Sequence, residues 1–319
     1  GREVELKFGV KYSTRDVAAD EERFRDRSAA ASSGALAPLL SDRPSQNYDY
    51  NLGFKFDAGL VTDYFDRVRA GSTNPDPVAG VRRVPQSITA DYTAQEDILA
   101  GYGQARFDIG ATNVLVGLRV EKTDFEGSAT SVALSGAQSP VKVERDQTDF
   151  FPNLTLRHSF SDQLVGRFAL TRAISRPDYT DIVPRVLETT DSGRTTVTRG
   201  NPDLKPTLSN NIDAGLEYYL RPLGVISANA FYKDLSNYRF TLVADGVPYV
   251  TPTTTVAQVT EARNAPDGHI AGIEFNWQQT FDFLPGWASG FGVFANYTLT
   301  DAEIKTSRAF AGRDTFVLP

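Results

Sequence analysis

Cysteine and methionine are absent from this 319-residue chain, and histidine and tryptophan occur only twice each. Without cysteine there is no disulfide framework and no thiolate metal site, a composition compatible with an oxidising periplasm or cell surface. His158 and His269 fall in different segments with no partner spacing, which leaves metal or triad chemistry little to work with. No apolar run approaches the length of a membrane-spanning helix, and the mean hydropathy is -0.31. The motifs His-Glu-x-x-His, Gly-x-Ser-x-Gly and the phosphate loop are all missing. Gly101-Tyr102-Gly103 lacks the third glycine of a dinucleotide fingerprint and lies in a strand-like stretch. No cofactor is implied. The net charge of -7 argues against a nucleic-acid partner. The missing methionine and signal peptide lead to the expectation that residue 1 is not the natural start.

What the chain does carry is a two-residue period. In Val4-Glu5-Leu6-Lys7-Phe8-Gly9-Val10-Lys11-Tyr12 the large apolar residues are all even and both lysines are odd. Strand side chains point alternately to opposite faces, so such a segment has one apolar and one polar side. Val114, Val116, Leu118 and Val120 oppose Gly117, Arg119 and Glu121 in the same way, and Ile273, Phe275 and Trp277 oppose Gly272, Glu274, Asn276 and Gln278. Nine strand-like segments emerge, at 1–13, 95–109, 114–126, 150–160, 163–175, 209–220, 225–239, 269–281 and 288–303.

Their connections follow a rhythm. Short turns at Gly110–Asn113, Ser161–Gln163, Arg221–Gly224 and Pro285-Gly286 alternate with long polar connections at 14–94, 127–149, 176–208 and 240–268. A soluble sandwich has no reason to collect its short turns at one end. An antiparallel up-and-down transmembrane β-barrel does, with short periplasmic turns and long extracellular loops. Most segments reach ten residues or more, near the ~9–11 that cross a bilayer at a tilt. Aromatics gather at segment ends (Tyr12, Phe150-Phe151, Tyr218-Tyr219, Phe281, Phe283, Trp287), as rings do at the headgroup level. Nine strands is an odd number, whereas single-chain bacterial barrels carry even numbers, and nine would leave unpaired edges in hydrocarbon. The expectation is a partial barrel, with residues 1–319 forming part of one larger barrel domain.

Several phrases resemble the barrel of TonB-dependent outer-membrane receptors, particularly the group common in Caulobacter- and Xanthomonas-like bacteria. They are Leu115-Val116-Gly117-Leu118-Arg119-Val120-Glu121-Lys122-Thr123, Phe151-Pro152-Asn153-Leu154, Ala173-Ile174-Ser175-Arg176-Pro177 and Gly200-Asn201-Pro202-Asp203-Leu204-Lys205-Pro206. Gly272-Ile273-Glu274-Phe275 and Ala295-Asn296-Tyr297-Thr298-Leu299-Thr300-Asp301 extend the match along almost the whole chain. The resemblance implies a barrel of about 22 strands, in the size class with a plugged lumen. It also implies a bacterial outer-membrane location and import of a scarce nutrient, an oligosaccharide or a ferric siderophore. TonB would supply the energy through an N-terminal region, and a plug domain and the final strands would lie outside this chain. The partners implied are a small-molecule nutrient, outer-membrane lipid and TonB.

Candidate ligand-binding residues divide between loop and wall. The first long connection holds Tyr48, Tyr50, Phe54, Phe56, Tyr64 and Phe65, whose rings could stack on sugars or siderophores or pack a small loop core with a short helix near 60–70. The polar wall would present Arg119, Glu121, Arg157, Arg167, Glu217, Glu274 and Asn296 to the lumen, where charges on neighbouring strands ordinarily pair with one another. Arg176-Pro177 and Asn201-Pro202-Asp203 read as fixed turns guiding a loop, since proline sets its own backbone angle and keeps the preceding residue extended. Two other readings stay open: a passive porin or adhesin-like barrel, and a soluble β-sandwich carbohydrate-binding module. An enzyme lacks a recognisable nucleophile here, although the separation of the many carboxylates cannot be read from sequence.

Overall fold

A β-ladder joins residues that share a face, so register alone sorts the side chains of a sheet into two sides. A computed structural model describes residues 3–25, 56–70, 81–82, 84–191, 193–221, 223–248, 256–305 and 315–317. The chain runs through β1 (Glu3–Ala19), β2 (Phe24–Arg25), α1 (Ala58–Ala70), β3 (Val81–Arg82), α2 (Val84–Ala90), β4 (Tyr92–Ile109), β5 (Thr112–Val132) and β6 (Gln138–Ser159). It continues through β7 (Leu164–Ser175), α3 (Tyr179–Ile182), β8 (Val186–Asp191), β9 (Arg194–Arg199), β10 (Thr207–Leu220), β11 (Gly224–Pro248) and β12 (Val256–Thr280). A 3-10 turn (Gly286–Gly290), β13 (Gly292–Lys305) and β14 (Thr315–Val317) close it.

The sheet path is β1-β4-β5-β6-β7-β10-β11-β12-β13-β14, and every step along it is antiparallel. All nine expected segments are strands, joined in the order of an up-and-down barrel wall. Two parallel contacts depart from that plan. The β8–β9 hairpin lays Thr196–Arg199 beside Gln258–Glu261 of β12, and Leu187 beside Val132 of β5.

The outer face is apolar and uncovered. Phe8 is 85% exposed, Leu6 69% and Ile273 57%, and among the described residues no second sheet or helix layer lies over them. On each long strand this face turns polar along one boundary: Tyr12 gives way to Thr14, Leu99 to Asp97, Val120 to Lys122, Phe150 to Thr148 and Leu170 to Arg172. On the remaining strands Ile212 gives way to Asn210, Tyr232 to Asp234, Ala271 to His269 and Leu299 to Asp301. An apolar band of this kind, ending together around the wall, is the lipid-facing surface of a transmembrane barrel. No helix among the described residues is long and apolar enough to cross a membrane.

Tyr12 and Phe150 mark the outer rim, while Tyr218, Phe283, Trp287 and Phe291 crowd the end with the short turns; Trp287 and Phe291 meet edge to face at 5.6 Å. Phe151 and Tyr219, grouped with the girdle by sequence position, fall on the inner face because each follows an outward residue by one step. The Tyr219 hydroxyl donates instead to Glu217 at 2.8 Å.

The long connections are shorter than their polarity suggests. β5 and β6 continue past the apolar boundary and leave only 133–137 between them, while β11 and β12 leave 249–255. Above the boundary the outward face meets water, as at Glu126 opposite Glu144 and Ser128 opposite Lys142. The inward face is only locally covered there, as at Phe125 and Val143, so the lipid-imposed alternation fades while the ladder persists.

Candidate functional site

The connection 176–206 folds inward and covers part of the inner face. Pro177 stops β7 and holds Arg176 extended, and α3 follows directly. The Arg239 guanidinium donates to Asp178 at 2.6 Å and Asp181 at 2.5 Å, tying this turn to β11. Ile182 packs with Ala94, Phe125 and Val143, and Tyr179 stacks on Phe125 at 5.4 Å. A second cluster joins Val197 and Val186 of the hairpin to Ala257 and Val259 of β12. The first of these small clusters lies on the inner face at the outer end of the wall.

The phrase Gly200–Pro206 brings the segment back into the wall. A Cβ on Gly200 would stand 1.8 Å from the Val183 carbonyl oxygen, so only glycine permits this approach. The Gly200 and Asn201 amides donate to Arg185 and Asp181 carbonyls at 3.0 and 2.7 Å. Asn201 Nδ2 donates to the Ala262 carbonyl at 3.0 Å, and Asn264 exchanges two hydrogen bonds with the Lys205 backbone at 2.8 and 2.9 Å. Leu204 is fully buried.

Between this segment and β1–β4 lies a cavity of about 540 Å³, lined by Ser13, Arg15, Tyr92, Glu96, Ile98 and residues Arg176–Thr180. Register sets Arg15 directly opposite Glu96. Arg176 forms its back wall, donating from Nη2 to Glu121 at 2.7 Å and to Thr123 at 3.2 Å. Arg119 Nε donates to the other oxygen of the same carboxylate at 2.7 Å. The Tyr179 hydroxyl donates to Glu96 at 3.2 Å, and burial together with that carboxylate raises the phenol above its ordinary value, keeping it a neutral donor. Behind Arg176 a space of about 30 Å³ separates it from Arg145 and Gln147. Arg176 Nε and Arg145 Nη1 are buried there without a hydrogen-bond partner among the described residues. Burial pulls the Arg145 guanidinium below its ordinary value, with Asp203 acting against it.

Higher up, Glu261 is buried between Arg199 and Arg263, both of which donate to it. Burial pushes this carboxyl up, but the two guanidinium hydrogen bonds outweigh burial and hold it below 4.5. A carboxyl with a lowered folded value contributes stability that is fully present above its unfolded value and lost as pH falls through the folded one. Thermal melting should therefore move down as pH falls below the ordinary carboxylate range, and Glu261→Gln should flatten that part of the profile. An unchanged slope in the variant would remove the triad from the acid response.

The residues singled out by sequence are dispersed. Tyr48, Tyr50 and Phe54 lie outside the described residues. Tyr64 stands on α1 with its ring edge-on to Phe65 at 5.5 Å. Arg119 and Glu121 brace the back of the cavity through Arg176. Arg167 and Glu217 pair across β7 and β10 at 2.7 Å, near the end with the short turns, and Arg157 donates to Ser159 at 3.1 Å on the same level. Glu274 and Asn296 face inward on β12 and β13, with Asn296 opposite Asn276. Arg15, Tyr92, Glu96, Arg176, Asp178 and Tyr179 carry the cavity instead. The signal for them was Ser175-Arg176-Pro177, a polar break after an apolar strand, and the charged start of β4 at Gln95-Glu96-Asp97. Among the described residues no group of three His, Asp or Glu side chains gathers as a metal site.

An apolar-banded antiparallel wall with a folded segment on its inner face defines a membrane-spanning β-barrel. The family model described as "TonB dependent receptor-like, beta-barrel" matches residues 3–317, and the chain belongs to that family. The family consists of transport receptors of the Gram-negative outer membrane. Among solved structures, a double mutant of the hemophore receptor HasR of Serratia marcescens, in complex with its hemophore HasA and heme, is 14% identical with a TM-score of 0.46, over 69% of this chain and 43% of that one. A mutant of the ferric enterobactin receptor of Pseudomonas aeruginosa is 16% identical with a TM-score of 0.40, over 74% and 41%. The copper transporter OprC is 14% identical with a TM-score of 0.46, over 66% and 29%. The chain thus spans less than half the length of these structures. No curated protein matches it in sequence.

Proposed function

We propose that this chain is barrel wall of an outer-membrane receptor that captures a scarce nutrient and imports it with energy supplied through TonB. The observation that carries the reading is the cavity between β1–β4 and residues 176–180, at the end of the wall away from the short turns. Its lining sets Arg15 and Arg176 against Glu96 and Asp178, with Tyr92 and Tyr179 among them. Balanced charge, many donors and acceptors and two phenol rings suit a neutral, hydroxyl-rich ligand such as an oligosaccharide. A strongly anionic ferric chelate would meet two carboxylates there. The receptor performs no bond chemistry; binding and passage are its work. β1 pairs only with β4 among the described residues, and an open edge in hydrocarbon costs several kcal/mol per unsatisfied group, so further strands complete the wall in this reading.

Labelled neutral oligosaccharides and ferric siderophores presented to the full receptor in detergent test it. We expect an oligosaccharide to bind, and Glu96→Gln combined with Tyr179→Phe to weaken it at least tenfold. Binding of siderophores alone would overturn the ligand class, and binding of neither, with uptake unchanged in a deletion strain, would overturn the transport reading.

A further inference from the structure

The lipid-facing band is not evenly covered. Register places Gly166 opposite Leu216 and Leu216 opposite Ala228, and in the adjacent row Phe168 opposite Ala214 and Ala214 opposite Ala230. Gly166 and the three alanines floor a recess of about 490 Å³ across β7, β10 and β11, walled by Leu156, Phe160, Phe168, Leu216 and Ile273. Its one titratable outward ring, His158, is already engaged: Nδ1 lies 2.7 Å from Thr112 Oγ1, and the ring meets Phe160 edge to face at 4.6 Å. Arg167 and Asn229 border the recess, but their side chains belong to the inner face by register, and Glu217 holds Arg167.

The geometry points to this recess as the seat of one acyl chain of an outer-membrane lipid. It is continuous with the lipid-facing band, with Ile212 and Tyr232 on one side of it and Tyr218 and Ile226 on the other. Its volume falls within the ~300–1,000 Å³ usual for a ligand pocket, and its apolar walls leave hydrocarbon as the matching occupant. A second copy fits badly, because an isologous contact would set recess against recess and leave a void where interfaces are packed. Bulk lipid is as apolar as the recess, so retention comes from added dispersion contacts with a concave wall rather than from transfer out of water.

Native mass spectrometry of the full receptor, taken from its own membrane into mild detergent, tests this. The unaltered protein should carry one lipid adduct that persists through detergent washing. Ala214→Phe with Ala228→Phe should lower its occupancy at least fivefold, and Ala228→Leu alone should lower it measurably. Ala105→Phe, on the outer face between Leu6 and Val116, should leave the adduct in place. Heat-modifiable migration on gels identifies folded variants, and where the double variant does not fold the single one decides. No adduct on the unaltered protein, or equal adducts on filled and unfilled variants, would overturn the proposal. So would a detergent-stable dimer that the filled variants disperse, which would assign the recess to a second copy.

Discussion

Replacing Arg176 with methionine is expected to free the 176–206 segment from the inner face while the wall stays intact. Among the described residues Arg176 links this segment to Glu121, Thr123 and the neighbourhood of Glu96 at once. Glu121 is 9% exposed, and removing one partner of a buried pair costs about 3–5 kcal/mol because a charge is left uncompensated. Arg119 still donates to the same carboxylate, so the charge stays paired and the loss falls below that range, on the order of 1.5–2 kcal/mol for a hydrogen bond to a charged group. That corresponds to local opening more frequent by a factor on the order of 10–30. The Arg239 clamp is the competing anchor; its Asp178 side chain is 70% exposed, whereas Asp181 is 34% and Arg239 32% exposed, which puts the clamp near the upper end of the about 0–1 kcal/mol of surface pairs. Hydrogen exchange should thus rise strongly across α3 and residues 200–206 in Arg176→Met, and weakly in Arg239→Met. Arg176→Lys should fall between, since an ammonium cannot reach Glu121 and Thr123 with the same planar fork. Equal protection in Arg176→Met and the unaltered protein, with exposure appearing only in Arg239→Met, would transfer the anchoring role to the outer clamp. Loss of ligand binding in Arg176→Met with no change in exchange would instead make Arg176 a direct ligand contact.

The wall was legible in sequence because the membrane imposes a simple rule. At Val114–Val120 and Ile273–Trp277 one face meets lipid and the other the lumen, so every second residue must be apolar and the period survives in the letters. Above the boundary that constraint ends. Residues 126–132 and 138–148 are strand with polar groups on both faces, and nothing in their pattern separates ladder from loop. The cavity was illegible for a different reason. Arg15, Glu96 and Arg176 come from three segments whose meeting depends on the β1–β4 register and on the inward fold of 176–206. Arg176-Pro177 and Asn201-Pro202-Asp203 announced fixed turns, but not where those turns would press the chain. The pair Arg167–Glu217 was more predictable: two opposite charges on the inner face of successive strands found each other across one ladder step.

The same boundary yields the other large effect, a sharp dependence on which face and which level receives a charge. Val116 points outward between Ala105 and Leu154, inside the apolar band and below the rim at Val120. Val116→Arg would place a guanidinium against lipid, which costs about 2–4 kcal/mol near the bilayer midplane. Asp124 lies on the same strand and face but beyond the rim, flanked by Asp97 and Asp146 across the ladder. Like charges directly opposite one another are unfavourable, and the exposed pair with Lys122 at 3.1 Å that would be lost contributes little, so Asp124→Arg should be neutral within about 0.5 kcal/mol. Leu115→Arg, one step from Val116 but turned toward the lumen, should cost less than Val116→Arg because the new charge remains in water. Urea titrations of the full receptor in lipid vesicles would rank the three. A penalty at Leu115 larger than at Val116 would invert the faces. A penalty at Asp124 equal to that at Val116 would move the rim outward, and with it the level at which the cavity beside Arg176 opens to solvent.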